Sequence, residues 1–300
     1  MNRGPNDLST TQPDCFSGVR TILSLATGIR AMGRLYLEQC DTCPRHHRQR
    51  CQSTVQRHLQ TPIPEMKTQI DHLVVVARTL ELGVQWCEAT LGITPGAGGE
   101  HAVYGTHNRL FKIATPANPL AYFEIIAINP HAARAANSAR KRWFDMDDPA
   151  LQAAVAIGPR LVHFVANTSD LQAARIALKA QGIDRGPAIQ ASRHSRRGLL
   201  QWQITVREDG QRLFDGTLPT LIQWGKADDA EPLRLHPRNS LPRSGVTLQT
   251  ISVTHPTAPK LQAAYEAIGL AGVAIDAGPA NLCVTLHTPK GPIQLQSHGL

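Results

Sequence analysis

The chain has 300 residues, 42% of them hydrophobic and 5% aromatic, and carries a net charge of +8. A chain of this length buries a substantial core without covalent staples, and no apolar run approaches the roughly 20 residues that span a bilayer. The basic residues are scattered and aromatics are few, which argues against a nucleic-acid surface; a small anionic substrate suits the same charge.

Residues 1–66 differ from the rest. They contain four of the six cysteines (Cys15, Cys40, Cys43, Cys51), several arginines and little strand-like alternation. Val19 to Leu37 has helical spacing, with apolar residues at Ile22, Leu25, Ile29, Met32 and Leu35. Cys40, Cys43, His47 and Cys51 bring zinc ligand types together, but the intervals miss the zinc-knuckle pattern by one residue at two points. The segment reads as a disordered Arg/Cys-rich leader, and Met66 is an alternative start. Only Cys87 and Cys283 follow, without disulfide-like spacing. With no secretory signal visible, a reducing, cytoplasmic location is expected.

From Lys67 onward the pattern tightens. A strand is predicted over Ile70 to Ala77. A helix follows, capped by Thr79, with apolar residues at Leu82, Val84, Trp86 and Leu91 and a stop at Gly92. Pro95 to Gly99 matches neither a dinucleotide nor a P-loop signature and reads as a connection. Strands are predicted at Ala102 to Tyr104, Arg109 to Ala114 and Ala121 to Ile128. After a loop and helical segment (Pro130 to Ala156) the order recurs: strand Leu161 to Ala166, helix Leu171 to Gln181, then strands at Leu199 to Arg207, around Leu213 and at Thr220 to Trp224. From Gly245 a shorter copy appears, with a strand at Thr247 to Val253, a helix over Pro256 to Leu270, and a hairpin of Leu282 to His287 with Ile293 to Gln296. Repetition of strand-helix-strands predicts an α+β fold: paired βαβββ modules with curved, mainly antiparallel sheets forming a cup over 67–228, and a third, partial module over 245–300.

Three predicted strands place one potential metal ligand each inside an apolar run: His72, Glu124 and His163. A buried polar group left unpaired costs roughly 2–7 kcal/mol. One divalent cation satisfies two imidazoles and a carboxylate together, if the fold makes them converge. Packing or hydrogen bonding satisfies each of them separately otherwise. His107 has the pKa range of a general base, or is a ligand, or lies in a solvated turn. Arg109 suits a carboxylate or phosphate clamp, or a surface ion pair. Trp143 and Phe144 read as a lid over the cup or a local core plug. The run Ser192 to Arg197 either attracts an anion or is a solvated loop. His101, His236, His255 and His287 are assigned no role.

The segments Ile70-Asp71-His72-Leu73-Val74-Val75, Gly105-Thr106-His107-Asn108-Arg109-Leu110, Tyr122-Phe123-Glu124-Ile125-Ile126-Ala127-Ile128, Arg142-Trp143-Phe144, Leu161-Val162-His163 and Leu218-Pro219-Thr220-Leu221-Ile222-Gln223-Trp224 carry a resemblance over about Lys67 to Trp224. They resemble the glyoxalase-like domain family of the vicinal oxygen chelate superfamily. The resemblance implies metal ligands on the first and last strands of each module, at His72, Glu124 and His163. Gln223 stands where many relatives carry Glu, a departure that weakens the fourth ligand. It also implies His107 as proton-transfer residue and Asn108, Arg109 and Trp143 as substrate-binding residues. The expected activity is metal-dependent lyase, isomerase or dioxygenase-like chemistry on a small oxygenated, anionic metabolite, with zinc, nickel, manganese or iron chelating its oxygens. The alternative is a metal-free binding or sequestration protein using the same cup. No nucleic-acid or membrane partner is expected, and a homodimer is the assembly that modules of this fold suggest.

Overall fold

Strand Thr68–Val76 (β1) is buried at nearly every position because both of its faces are covered. It opens the first module, which continues through helix Leu80–Leu91 (α1) and strands Gly96–His101 (β2), Thr106–Lys112 (β3) and Tyr122–Ile128 (β4). The computed structural model describes residues 66–132, 140–195, 197–225 and 229–300, all within the unit Met66–Leu300. The helix Val19–Leu37 and the Cys40–Cys51 cluster lie outside the described residues. Helix Pro149–Ile157 (α2) links to the second module: strand Arg160–Thr168 (β5), helix Leu171–Ala180 (α3), and strands Ala188–Ser195 (β6), Gly198–Thr205 (β7) and Thr220–Trp224 (β8). The predicted caps form. The Thr79 hydroxyl accepts the Leu82 N–H, and Gly92 ends α1 at φ 77°. Asp170 caps α3 through the Ala173 N–H.

Both modules share one curved eight-stranded sheet, in the order β2-β3-β4-β1-β5-β8-β7-β6. Each first strand pairs in parallel with its own last strand (β1 with β4, β5 with β8), and the modules join where β1 and β5 run antiparallel. Strand alternation separates two cores. Leu73, Val75, Phe123, Ile125, Phe164 and Leu221 pack outward against the helices. Val74, Val76, Ile126, Val162, Val165, Trp202, Ile204, Ile222 and Trp224 line the concave face, where Trp143, Phe144, Met146, Leu151 and Val155 pack over them.

The third module is more complete than predicted. Strand Thr247–His255 (β9), helix Ala258–Ala267 (α4) and strands Ala274–Ala277 (β10), Asn281–Thr288 (β11) and Gly291–Gln296 (β12) make a separate sheet in the order β10-β9-β11-β12. In this sheet β9 lies between β10 and β11, so it is not a copy of the first two modules. It packs on the outer core, where Tyr265 meets Phe164 edge-on at 6.5 Å and donates its hydroxyl to the Thr217 carbonyl.

Three local expectations are corrected. The glycine run expected to be a loop is strand β2, while Ala102 to Tyr104 is a turn. A Cβ on Gly98 would lie 2.1 Å from the Asn108 carbonyl and side-chain oxygens, so the missing side chain is what lets β3 approach. Ser192 to Ser195 of the basic run, for which a solvated loop was one reading, belong to the edge strand β6. Leu213 makes only an isolated bridge to Leu218.

Candidate active site

The site begins at a β-bulge. Opposite Ala166 and Val165 of β5, β1 presents Ile70 and His72, with Asp71 as the extra residue between them. A bulge re-aims a side chain. Asp71 and His72 both turn toward the cup, and their side chains meet: Nδ1 of His72 lies 2.7 Å from Oδ1 of Asp71. Oδ2 of Asp71 accepts the Trp224 indole N–H at 2.8 Å and lies 3.0 Å from His236 Nε2. His236 is fully buried, and its Nδ1 accepts the Arg238 backbone N–H, so its proton sits on Nε2 and is donated to Asp71. Burial alone would raise the Asp71 carboxyl. The charges and hydrogen bonds of His236 and His72 outweigh it and hold it well below the usual carboxylate range.

An ionised Asp71 fixes the His72 proton on Nδ1 and leaves Nε2 facing the cup. That nitrogen lies 3.5 Å from Oε2 of Glu124, which projects from β4 on the same face. Glu124 is fixed from behind. Its Oε1 accepts the Asn108 amide at 2.5 Å, and Oδ1 of Asn108 accepts the Gly99 N–H at 2.7 Å, which sets which way the amide points. His101, at the end of β2, completes this wall. Its Nδ1 lies 3.0 Å from the Thr106 hydroxyl and its Nε2 lies 3.4 Å from Asn108 Nδ2. Burial, helped by the charge of Arg193, lowers the His101 pKa to about 3, so the ring is neutral.

These groups surround a cavity of about 40 Å³, whose lining includes His72, His101, Glu124, Trp143, Arg193 and Trp224. Trp143 and Phe144 form its roof. Trp143 stacks on Tyr104 at 4.1 Å and meets His101 edge-on at 4.8 Å. Phe144 and Asp145 hold positive φ angles of 59° and 56°, a costly backbone state for such residues. The segment is pinned there by the Asp145 N–H to the Gly210 carbonyl and by an ion pair of Asp145 with Arg212 at 2.9 Å.

His72, Glu124, Asn108 and Trp143 are thus brought together, and four other expected residues are not. His107 and Arg109 flank Asn108 on β3, so alternation turns both to the outer face, beside Glu81 of α1. His163 sits on the concave face but is spent. Its Nε2 accepts the Thr220 N–H at 3.0 Å, which puts the proton on Nδ1, donated to the Gly216 carbonyl at 2.8 Å. Burial holds its pKa well below the ordinary imidazole value. Gln223 faces away from the cup, and its Oε1 accepts the Leu171 N–H at the start of α3. The strand register puts Thr220, not Gln223, where Glu124 stands in the first module: Glu124 pairs with Val74, two residues past His72, and Thr220 pairs with Val165, two residues past His163.

As a metal centre, the donor set fits in part. His72 is presented as ligating histidines usually are, with Nδ1–H on a carboxylate and Nε2 open, and Glu124 offers an oxygen beside it. Among the described residues no three His, Cys, Asp or Glu side chains converge as a metal-binding group. A cation held by His72 and Glu124 would draw its other ligands from substrate and water. Asp71, His101 and His236 lie at this site although the sequence reading gave them no role; Arg193, which lines the cavity, belongs to the basic run Ser192 to Arg197 that it left open as an anion attractor. The pairing of Asp71 with His72 was the available signal, since an acid inside an apolar strand needs partners.

A cup built by two βαβββ modules on one sheet defines a vicinal-oxygen-chelate fold. The chain belongs to the glyoxalase-like domain family, whose model matches residues 70–269. No curated protein matches the sequence. Among solved structures it is similar to a hypothetical protein from Staphylococcus aureus (15% identity, TM-score 0.47, covering 76% of this chain and 84% of that one). It is also similar to a 4-hydroxymandelate synthase variant from Streptomyces coelicolor (12%, 0.40, 77% and 62%) and to methylmalonyl-CoA epimerase from Mycobacterium tuberculosis (16%, 0.29, 52% and 85%). Among the described residues no helix is long and apolar enough to cross a membrane.

Proposed function

We propose that the cup is the active site of a metal-assisted lyase, isomerase or dioxygenase-like enzyme acting on a small oxygenated, anionic metabolite. We take residues 67–228 as the catalytic unit, supported by the module over 245–300, in a reducing, cytoplasmic setting. The observation that carries the proposal is the 3.5 Å approach of His72 Nε2 to Glu124 Oε2. With the His72 proton committed to Asp71, two acceptors face each other, and a shared proton or a cation is what makes such a contact favourable.

A divalent cation bound there would polarise a substrate oxygen and stabilise enolate-like charge. The protein's own part is positional. Asp71, held by His236 and Trp224, keeps His72 in one tautomer. Asn108 keeps one oxygen of Glu124 occupied and the other directed at His72, so that His72 and Glu124 are the groups placed to take or return a substrate proton. Trp143 and Phe144 exclude water and strengthen each of these interactions.

The test is metal analysis of the purified protein beside His72→Ala and Glu124→Ala. Stoichiometric zinc, nickel, manganese or iron that is lost in both variants supports the reading. A metal-free protein whose ligand binding is indifferent to both substitutions sinks it. One observation favours a second reading, a metal-free binder: the Asn108 amide already occupies the space between Glu124 Oε1 and His101 Nε2. On that reading the protein is isolated without metal and retains a tight organic ligand.

A further inference from the structure

Arg193 is a cation at the mouth of this site. It lies on the edge strand β6 opposite Leu200, a residue of the concave core, and it lines the 40 Å³ cavity together with His72 and Glu124. Its guanidinium crosses to the far edge of the sheet: a Cβ on Gly99 of β2 would lie 2.2 Å from Arg193 Nη1. The two edges of the cup thus meet at this side chain, and the glycine is the space that it occupies. Among the described residues no carboxylate forms an ion pair with Arg193. The same cavity holds a second unmet group. Trp143 is 6% exposed, and its indole N–H is buried without a partner.

A buried donor is normally satisfied, and a guanidinium recognises planar carboxylates. We propose that Arg193 and Trp143 together hold the carboxylate of the substrate. This rests on the reading that the cup is an active site, and it narrows the substrate class. The cavity has room for about three water positions. An acid whose carboxylate lies between Arg193 and Trp143 therefore presents the adjacent carbon and its oxygen to His72 and Glu124. The substrate is a short-chain 2-oxo or 2-hydroxy acid.

Calorimetric titration with pyruvate and with its neutral amide, pyruvamide, tests the proposal on the full-length protein. The wild type is expected to bind the acid about tenfold or more tightly than the amide, as a charge-assisted contact requires. Arg193→Gln brings that ratio close to one, and Arg193→Lys restores part of it. Gly99→Val, which fills the space of the guanidinium, lowers the ratio without touching the charge, and it serves if the Arg193 variants fail to fold. Equal binding of acid and amide by the wild type, absence of binding, or a preference that survives Arg193→Gln overturns the assignment. The wild type separates it from the proposed function: a wild type that prefers the acid but carries no metal and shows no turnover retains the carboxylate clamp and loses the catalytic reading, whereas His72→Ala is expected to lose metal and keep the acid preference.

Discussion

The two modules start from the same device and end with different chemistry. In each, a bulge on the first strand precedes a histidine: Asp71 before His72, Val162 before His163. In the first module the bulged residue is an acid that takes three donors and leaves His72 Nε2 open to Glu124. In the second it is a valine in the concave core, and both nitrogens of His163 are used on Gly216 and Thr220. Beside it lies Arg185, 3% exposed, whose Nη2 donates to the Thr220 hydroxyl while Nε and Nη1 have no partner. In one half of the cup a histidine nitrogen faces a carboxylate, and in the other both histidine nitrogens are used to hold the fold. What decides between them is the residue beside the histidine and the one opposite it, not the histidine.

The sharpest way to break this contrast is to give the first module the second module's bulge. Asp71→Val leaves His72 Nδ1, His236 Nε2 and Trp224 Nε1 without their acceptor, and a loss of about 3–5 kcal/mol is expected in urea unfolding. Any turnover should vanish with it. Full stability in this variant would mean that the three donors find other partners and that Asp71 does not organise the site.

His163→Leu probes the other half. It orphans the Thr220 N–H and the Gly216 carbonyl, at a cost of about 2 kcal/mol near pH 7.5, while metal content and binding at the first module stay unchanged. The pH dependence gives an independent reading. Folded His163 takes up no proton until far below the ordinary imidazole value, whereas the unfolded chain does so near pH 6.5. Its contribution is therefore full above about pH 6.5 and declines as the pH falls below it. His163→Leu should flatten that decline, leaving the part due to His101, whose folded pKa is about 3, and to His107, whose pKa burial also lowers. An unaltered slope in thermal melts between pH 7.5 and 5 would show that His163 is not held neutral.

Why the first half was legible and the second was not follows from what repeats in a strand. The runs around His72, Glu124 and His163 announce buried strands, and β-α-β-β-β order fixes how they are joined, so the cup was readable. Which face a residue takes depends on register at single-residue resolution. His107 and Arg109 flank Asn108, and one step in β3 separates the cup from the outer core. Gln223 misses for the same reason, since Thr220 holds the register position. The bulge at Asp71 adds a residue that alternation cannot foresee. His236 and Arg193 come from a loop and an edge strand with no apolar run to mark them, and only the curvature of the sheet brings them to the site.

Arg185 offers a smaller test. A buried guanidinium with two unpaired nitrogens is a cost to the fold, and burial lowers its pKa to about 9. Arg185→Met is expected to be stabilising by about 1 kcal/mol in urea unfolding, because an apolar side chain of similar length removes the unpaired charge. A loss of stability would show that the Thr220 contact is worth more than the desolvation it requires.

Gln223→Glu carries the smallest expected effect and decides the most direct disagreement between sequence and structure. It installs the acid that the resemblance leads one to expect at this position. If the side chain faced the cup, the new carboxylate would add a ligand, and metal content or affinity should rise. The geometry gives another outcome. Gln223 Oε1 accepts the Leu171 N–H at 2.8 Å on the far side of the sheet. A glutamate keeps that acceptor and adds negative charge at the positive end of α3, worth about 0.3–1 kcal/mol. The gain should fall at the lower end of that range because Asp170 already caps the helix. A slightly higher melting temperature with unchanged metal stoichiometry would confirm the register that gives Thr220, and not residue 223, the position in the second module that Glu124 holds in the first. Increased metal affinity would mean that β8 is shifted by three residues, and the contrast between the two halves of the cup would have to be redrawn.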